Sequence, residues 1–387
     1  MTKSVSLYTL IFSLLLGSCI LPYDFNPENY QRSLVVDGSL TNETKAHTVR
    51  LFYTQPIDSP VYQPATQAVV SITDGDGVVT YLTETYTGTY QTMSDFSGVA
   101  GQTYQLTVET ADGRSYQTRP VTLLLSPPID SLYMRYEYLP SDETHHNEGG
   151  IQFFVDSHDD TGNTRYFRYD WEETYRIQVP FPSLYDNNLV YRTSPLGTCY
   201  QTNVSKSFHF ATATGTGQTR VAEFPIHFVF QYEQQLRTRY SLKVKQYAIS
   251  DEAYQYFQHL NKNNEGSGSL FDQQQGAIIG NVFSVDDASE IVLGYFEVAG
   301  VSERREFYNP RDLPPPFRVP PYLYHCPYND IIISSFDSVD YYLNTNPFLL
   351  VYMVSTFTPP VGVYLASREC ADCSWYASTI KPDFWID

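Results

Sequence analysis

Basic residues are scarce in this 387-residue chain: 24 Lys and Arg stand against 43 Asp and Glu, a formal net charge of −19. Non-specific nucleic-acid binding depends on cations meeting phosphates, so that class is disfavoured. Adhesion to an anionic membrane by charge alone is disfavoured for the same reason. Charged residues of both signs make up only 17%, against 42% apolar, which argues against a disordered chain and supplies a packed core. The apolar stretch from Leu7 to Leu16, broken by Tyr8, Thr9 and Ser13, is too short to span a bilayer. Familiar catalytic signatures are missing as well: there is no G-x-S-x-G, no H-E-x-x-H and no P-loop. Glycosidase carboxylates can lie far apart in sequence, so a hydrolase with dispersed acids stays open.

What is abundant is aromatic. The chain holds 34 Tyr, 23 Phe and 3 Trp. Tyr and Phe suit pleated sheets, so composition leans towards β. Aromatics in this number can also form a sugar-stacking platform or an interface anchor.

The first 18 residues read as a secretory leader. Lys3 gives a short positive start, the apolar stretch follows, and Leu16-Gly17-Ser18-Cys19 resembles a bacterial lipobox. Cys19 is the expected lipidation site and the new N-terminus. Two or three acyl chains anchor a protein firmly, whereas one binds marginally. Residues 19–32, with Pro22 and Pro27 and no periodicity, read as a tether. Only Asp24 and Glu28 follow the Cys as acids, so the sequence leaves open which face of an outer membrane the protein occupies.

Lipidation of Cys19 leaves Cys199, Cys326, Cys370 and Cys373. An even number in an oxidising envelope predicts two disulfides, with three pairings possible. Cys370-Ala371-Asp372-Cys373 could instead be a redox pair or half a zinc site, but no second C-x-x-C accompanies it.

Residues 33–125 read as a β-sandwich of immunoglobulin-like or transthyretin-like kind. Val49, Leu51 and Tyr53 alternate, as do Tyr104, Leu106 and Val108. Asp74-Gly75-Asp76-Gly77 and Asp112-Gly113 supply turns. Ser126-Pro127-Pro128 punctuates the chain, and residues 128–387 read as a larger β-rich domain. Within it, Ile151–Val155 and Tyr166–Ile177 flank a turn and predict a long hairpin. Phe224–Tyr232 and Tyr240–Ala248 predict two more strands. Ser250-Asp251-Glu252 opens one notable helix through Asn261, with Ser250 as its cap. Ala277–Phe283 and Ile291–Val298 predict a strand pair. Beyond residue 308, Pro314-Pro315-Pro316 and Pro320-Pro321 predict an irregular, proline-rich wrap. The expected fold class is therefore mainly β, in two units with one helix.

The remaining candidate chemistry has bland explanations. His145 and His146 near Asp142 and Glu143 read as a solvated loop, and residues 156–163 lack the full Ca²⁺ spacing and read as a turn. Glu172 and Glu173 are neighbours on a strand and point to opposite faces. No metal or cofactor is expected.

Taken in order, several short motifs resemble one family. They are Cys19-x-x-Pro22-Tyr23-Asp24, Leu34-Val-Val-Asp-Gly38, Gly98-x-x-Gly101-x-x-Tyr104-x-Leu106, Gly280-Asn281, Gly294-Tyr295-Phe296, and the ending Cys370-x-x-Cys373 with Lys381-Pro382-Asp383-Phe384-Trp385. Together they resemble the outer-membrane lipoproteins called domain of unknown function 4249, common in Bacteroidota, across residues 19–387. Many members carry Trp after the mid-chain Cys, where this chain has Tyr200. The resemblance carries over no catalytic residue. It implies a transport or envelope partner, because such genes often lie beside TonB-dependent outer-membrane receptors. The expected function is a non-enzymatic, lipid-anchored accessory subunit. The alternative is a glycan- or ligand-binding lipoprotein.

Overall fold

A computed structural model describes residues 32–56, 61–140, 146–186, 188, 190–194, 196–215, 217–264, 278–326, 331–333, 336–346, 349–354 and 363–387. The leader, Cys19 and the tether up to residue 31 lie outside the described residues, as does His145. The protein is mainly β.

The first strands are β1 (Leu34–Thr41), β2 (Thr48–Tyr53), β3 (Gln63–Pro64), β4 (Val69–Asp74), β5 (Val79–Tyr86), β6 (Thr89–Gln91), β7 (Thr103–Glu109), β8 (Ser115–Thr118) and β9 (Val121–Thr122). The predicted turns hold. Asp74 accepts hydrogen bonds from the backbone N–H groups of Asp76 and Val78 at 3.0 and 2.9 Å, and Gly77 takes φ +84°. Strand order runs β1-β2-β6-β5-β4-β7-β8. Yet Leu34, Val36 and Leu40 of β1 share one core with Val70 and Ile72 of β4 and Leu106 and Val108 of β7. Strands that far apart in a sheet can meet only if the sheet folds over itself into two layers. The same core takes in Val282, Val292, Phe296 and Val298 from much later in the chain.

The second set is β10 (Ile129–Pro140), β11 (Asn147–Asp159), β12 (Tyr166–Gln178), β13 (Thr198–Val204), β14 (His209–Thr212), β15 (Thr219–Phe230) and β16 (Tyr240–Ile249), followed by α1 (Asp251–Asn264), β17 (Val282–Ser284) and β18 (Leu293–Tyr308). β10-β11-β15 form one sheet, and β13-β12-β16-β18 form the end of the long one. Phe153 and Val155 of β11 pack on Phe167 and Tyr169 of β12, with Phe153 stacked on Tyr240 at 5.4 Å. The predicted hairpin is corrected here. β11 and β12 do not pair with each other but lie in different sheets, face to face. The turn between them is an arch tied by Asp159, which accepts from Thr161 N at 2.9 Å and Thr164 N at 2.8 Å.

β18 joins the two regions. Its first seven residues run parallel to β1, with Leu293 opposite Val35, and its last nine run antiparallel to β16. The predicted pairing of 277–283 with 291–298 is corrected: β17 pairs with β8, and only an isolated bridge joins Ile279 to Leu293. What holds the two segments together is a side chain. Asn281 donates to Phe296 O at 2.8 Å and accepts from Phe296 N at 2.9 Å. Close approach demands the neighbouring glycines. A Cβ on Gly280 would sit 1.5 Å from Gly294 O, and one on Gly294, at φ +87°, 2.0 Å from Val36 O.

α1 starts where the sequence placed it. Ser250 Oγ caps it by accepting from Ala253 N at 3.1 Å. Tyr254, Tyr256 and Phe257 pack on Tyr247, Tyr295 and Ala299. Beyond the expected proline-rich stretch lies more order than predicted: β19 (Ile331–Ile333), α2 (Phe336–Thr345), β20 (Leu349–Val354), β21 (Val363–Ser367) and the one-turn α3 (Arg368–Ala371). β19-β21-β20 form a small third sheet with its own core of Leu343, Val351, Val363 and Leu365.

Candidate functional site

All four mid- and C-terminal cysteines converge at one end of the second region. Cys199 bonds Cys373, and Cys326 bonds Cys370. The C-x-x-C is thus a branch point whose two sulfurs go to different partners, rather than a dithiol pair. Cys199, Cys370 and Cys373 are fully buried. Backbone hydrogen bonds reinforce the clamp: Phe181 N donates to Cys370 O at 3.0 Å, Ser183 N to Ala371 O at 2.8 Å, and Tyr200 and Ser378 exchange bonds at 2.7 and 3.1 Å.

The proline-rich segment 313–326 crosses this end as a strap. Its carbonyls lack ladder partners, so side chains take that role. Gln234 Nε2 donates to Pro321 O at 2.6 Å and Arg237 Nη1 to Pro320 O. The Arg237 guanidinium also lies 3.5 Å over the Tyr322 ring. Cys326 then pins the strap covalently to α3.

Between strap and sheet is a small pocket of about 70 Å³. Tyr175 and Arg176 from the end of β12, Gln201 from β13, Tyr322 and Tyr324 from the strap, and Glu369 and Tyr376 from the C-terminal segment line it. Burial pushes the Tyr175 and Tyr376 phenols up to about 12, so both keep their protons across the physiological range and can donate. Tyr324 sits 6.0 Å from Tyr376 and 6.2 Å from Trp375, which is half-exposed. Arg176 Nε is buried and has no hydrogen-bond partner among the described residues, while its Nη1 lies 3.6 Å from Asp387. A buried donor without an acceptor is costly and uncommon. Glu369, half-buried, accepts no hydrogen bond among the described residues. The arrangement brings aromatic faces and the side chains of Gln201 and Glu369 together in one small concavity.

A second polar cluster lies inside the second core. Glu173, almost fully buried, accepts from His227 Nε2 at 3.0 Å, Tyr240 Oη at 2.9 Å and Asn203 Nδ2 at 2.7 Å. Burial alone would raise its pKa; these donors, His227 first, outweigh burial and hold it below the usual range. Glu172 points the other way, to Arg305 at 2.5 Å and Lys243 at 3.3 Å, as strand alternation requires. The other residues weighed for chemistry are dispersed. His158 pairs with Asp130 at 2.6 Å on the surface, and Asp159 is spent on its turn. Among the described residues no group of three or more His, Cys, Asp or Glu could hold a metal ion. No described helix is long and apolar enough to cross a membrane.

Sequence reasoning found the cysteines but missed Arg176, Arg237, Tyr322, Glu369 and Tyr376. They come from separate segments with no shared spacing. The one available signal was tyrosine recurring beside the strap prolines and cysteines, as in Pro321-Tyr322-Leu323-Tyr324.

A family profile described as a domain of unknown function (DUF4249) matches residues 20–305. That span takes in both large cores through most of β18 and stops before the strap. No curated protein matches the chain.

Proposed function

The chain belongs to the DUF4249 family, and from that premise we propose that it is an outer-membrane lipoprotein, of the kind found in Bacteroidota, anchored through Cys19. It acts as a non-enzymatic accessory or binding subunit, its partner a TonB-dependent receptor or another envelope complex. The observation that carries the compartment is the disulfide pair. Cys199–Cys373 and Cys326–Cys370 close long loops around buried sulfurs, and such bonds persist in an oxidising envelope rather than a reducing cytosol. The lipobox and tether ahead of a body that begins at Leu34 support the anchor. The folded body then stands off the membrane by the tether and presents its aromatic-rich second region to a partner.

Gentle detergent extraction of the tagged full chain, followed by pull-down and quantitative mass spectrometry, tests the accessory role. Recovery of an outer-membrane β-barrel in near-stoichiometric amount is the expected result. Recovery of the lipoprotein alone contradicts it.

A second reading, a glycan- or ligand-binding lipoprotein, is favoured by the tyrosine-lined pocket under the strap. The two readings are compatible, since an accessory subunit of a transporter can hold the cargo.

A further inference from the structure

We propose that the protein pairs with a second copy of itself through the free edge of β10, the two β10 strands lying antiparallel about Tyr136. The sheet β10-β11-β15 of each copy then continues across the two-fold axis into that of the other.

The edge is open. β10 ends its sheet, and among the described residues no strand pairs with its other side. Two hydrogen bonds fix which residues face that side. Gly149, opposite Tyr138, gives its carbonyl to Gln231 N at 2.9 Å, on the β15 side. Strand residues alternate in the side to which they offer their main-chain groups, so Tyr138 turns its N–H and C=O away from β11. Leu132 O, which accepts from Tyr308 Oη at 3.2 Å, faces the same way. Register is unbroken from Ser131 to Pro140, so Leu132, Met134, Tyr136 and Tyr138 all face the free edge. Among the described residues nothing bonds the outward main chain of Met134, Tyr136 or Tyr138. Proteins usually blunt such edges with Pro, Lys, a bulge or a short strand. β10 is 12 residues long, and its bulge near Ile129 and its Pro140 sit at the two ends. Residues 132–139 hold neither Pro nor Lys.

The strand is complementary to itself in one register. A two-fold axis at residue 135 sets Arg135 against Arg135, and one at 137 sets Glu137 against Glu137. Like charges directly opposite are destabilising. An axis at Tyr136 sets Arg135 against Glu137 of the other copy, twice, at the closely spaced positions without mutual hydrogen bonds. Arg135 Nη1 and Nη2 already hold Glu223 of the same chain, which leaves Nε for the new carboxylate. An axis at Met134 sets Arg135 against Tyr133 and forfeits both ion pairs. The main-chain groups agree with the Tyr136 axis. Tyr136 exchanges bonds with its own counterpart, and Met134 exchanges them with Tyr138. Pro140, which has no N–H, falls opposite Leu132, whose carbonyl Tyr308 already occupies. Tyr138, 62% exposed and edge-on to Tyr136 at 5.4 Å, gains Met134 of the other copy as a neighbour.

The test uses the full chain in mild detergent. Light scattering after size exclusion, corrected for detergent, is expected to read a dimer that dissociates on dilution. Tyr138→Pro removes an outward N–H from each copy and no hydrogen bond within a chain, and an edge strand tolerates Pro there. Circular dichroism should stay the same while the dissociation constant rises by about tenfold or more, as the loss of two ladder bonds predicts. Glu137→Arg should weaken the dimer too, and adding Arg135→Glu to it should restore part of the loss. Register is read by cross-linking. The four cysteines of the body are bonded in pairs, and the unsubstituted chain is the control. Under mild oxidation, chains with Arg135→Cys should link to chains with Glu137→Cys, and neither should link to itself. If Tyr138→Pro fails to fold, Glu137→Arg and the cross-link decide. A monomer at every concentration, or no mixed cross-link, overturns the proposal. A dimer that Tyr138→Pro and Glu137→Arg leave unchanged, or one in which Arg135→Cys links to itself, overturns pairing about Tyr136.

Discussion

Replacing Arg168 by Met isolates the charge that β12 and β18 share where the two regions meet. Arg168 is 7% exposed and Glu297 5%. Arg168 Nε and Nη2 donate to the two Glu297 oxygens at 3.1 and 3.0 Å, Nη1 reaches Asp170 at 2.7 Å, and the guanidinium lies 3.9 Å over Tyr247. Despite burial, which works the other way, Glu297 and then Asp170 raise the Arg168 pKa further above its ordinary value. In the variant, Asp170 is open enough for water to replace the lost partner, but Glu297 is not. Removing one member of a buried pair costs about 3–5 kcal/mol, because the survivor stays charged and desolvated. For a chain of this length m lies near or above the top of the small-protein range, about 3 kcal/mol/M, so the urea midpoint falls by about 1–2 M. The sign with pH follows. Protonating a buried carboxylate that has lost its partner removes the charge the fold cannot solvate, so the defect is smaller at low pH and larger at neutral pH. The double variant Arg168→Met with Glu297→Met should recover most of the loss. Urea unfolding followed by circular dichroism at pH 4, 5.5 and 7 measures all of this. A single variant that loses under about 1 kcal/mol, or one whose loss is independent of pH, refutes the assignment of this pair as a desolvated junction.

Three further outcomes are expected. Glu43, between Lys45 at 2.5 Å and Lys245, keeps a pKa of about 2: burial opposes the shift, and Lys245 and then Lys45 outweigh it. Its folded pKa is below the unfolded one, so its stabilisation is present above about pH 4.5 and is lost as pH falls towards 2. The site is partly solvated, so Glu43→Gln should cost about 1–2 kcal/mol at pH 7 and little at pH 2.5 in chemical denaturation. Joint replacement of Cys199 and Cys373 by Ser should lower stability by about 2–5 kcal/mol, read as a lower melting temperature that reductant no longer changes for that bond. Gly294→Ala puts a Cβ 2.0 Å from Val36 O at φ +87° and should cost about 3 kcal/mol or more, read from the urea midpoint; an unchanged midpoint contradicts the close β1–β18 approach.

Local chemistry was legible and partner choice was not. Asp74-Gly75-Asp76-Gly77 states its turn in residue types alone, and Ser250 followed by two acids states a helix start. Alternation in 151–155 and 166–177 correctly predicts strands. It says which side chains face inward and nothing about which strand lies alongside, so two strands stacked across a core read the same as a hairpin. β18 shows the same limit at longer range. Its parallel partner is some 258 residues earlier in sequence, and no local pattern encodes that. Gly280-Asn281 and Gly294-Tyr295-Phe296 stood out as motifs before their purpose was visible. Their role is steric and hydrogen-bonded closure of β18 on the first core. The small sheet after residue 330 was hidden by the dense prolines before it. At the pocket, the four cysteines were readable as a set. Their pairing, and the positions of Arg176, Glu369 and Tyr376 around one cavity, arise only once distant segments are clamped together.

The central claim is that this is an envelope lipoprotein held by an acylated Cys19. Metabolic labelling of the full chain with an alkyne fatty acid, followed by the mass of the mature N-terminal peptide, tests it most directly. The account predicts a labelled protein whose first residue is Cys19 carrying two or three acyl chains, and a Cys19→Ala variant without label. An unlabelled protein that retains residues 1–18, or equal labelling of the variant, would contradict it.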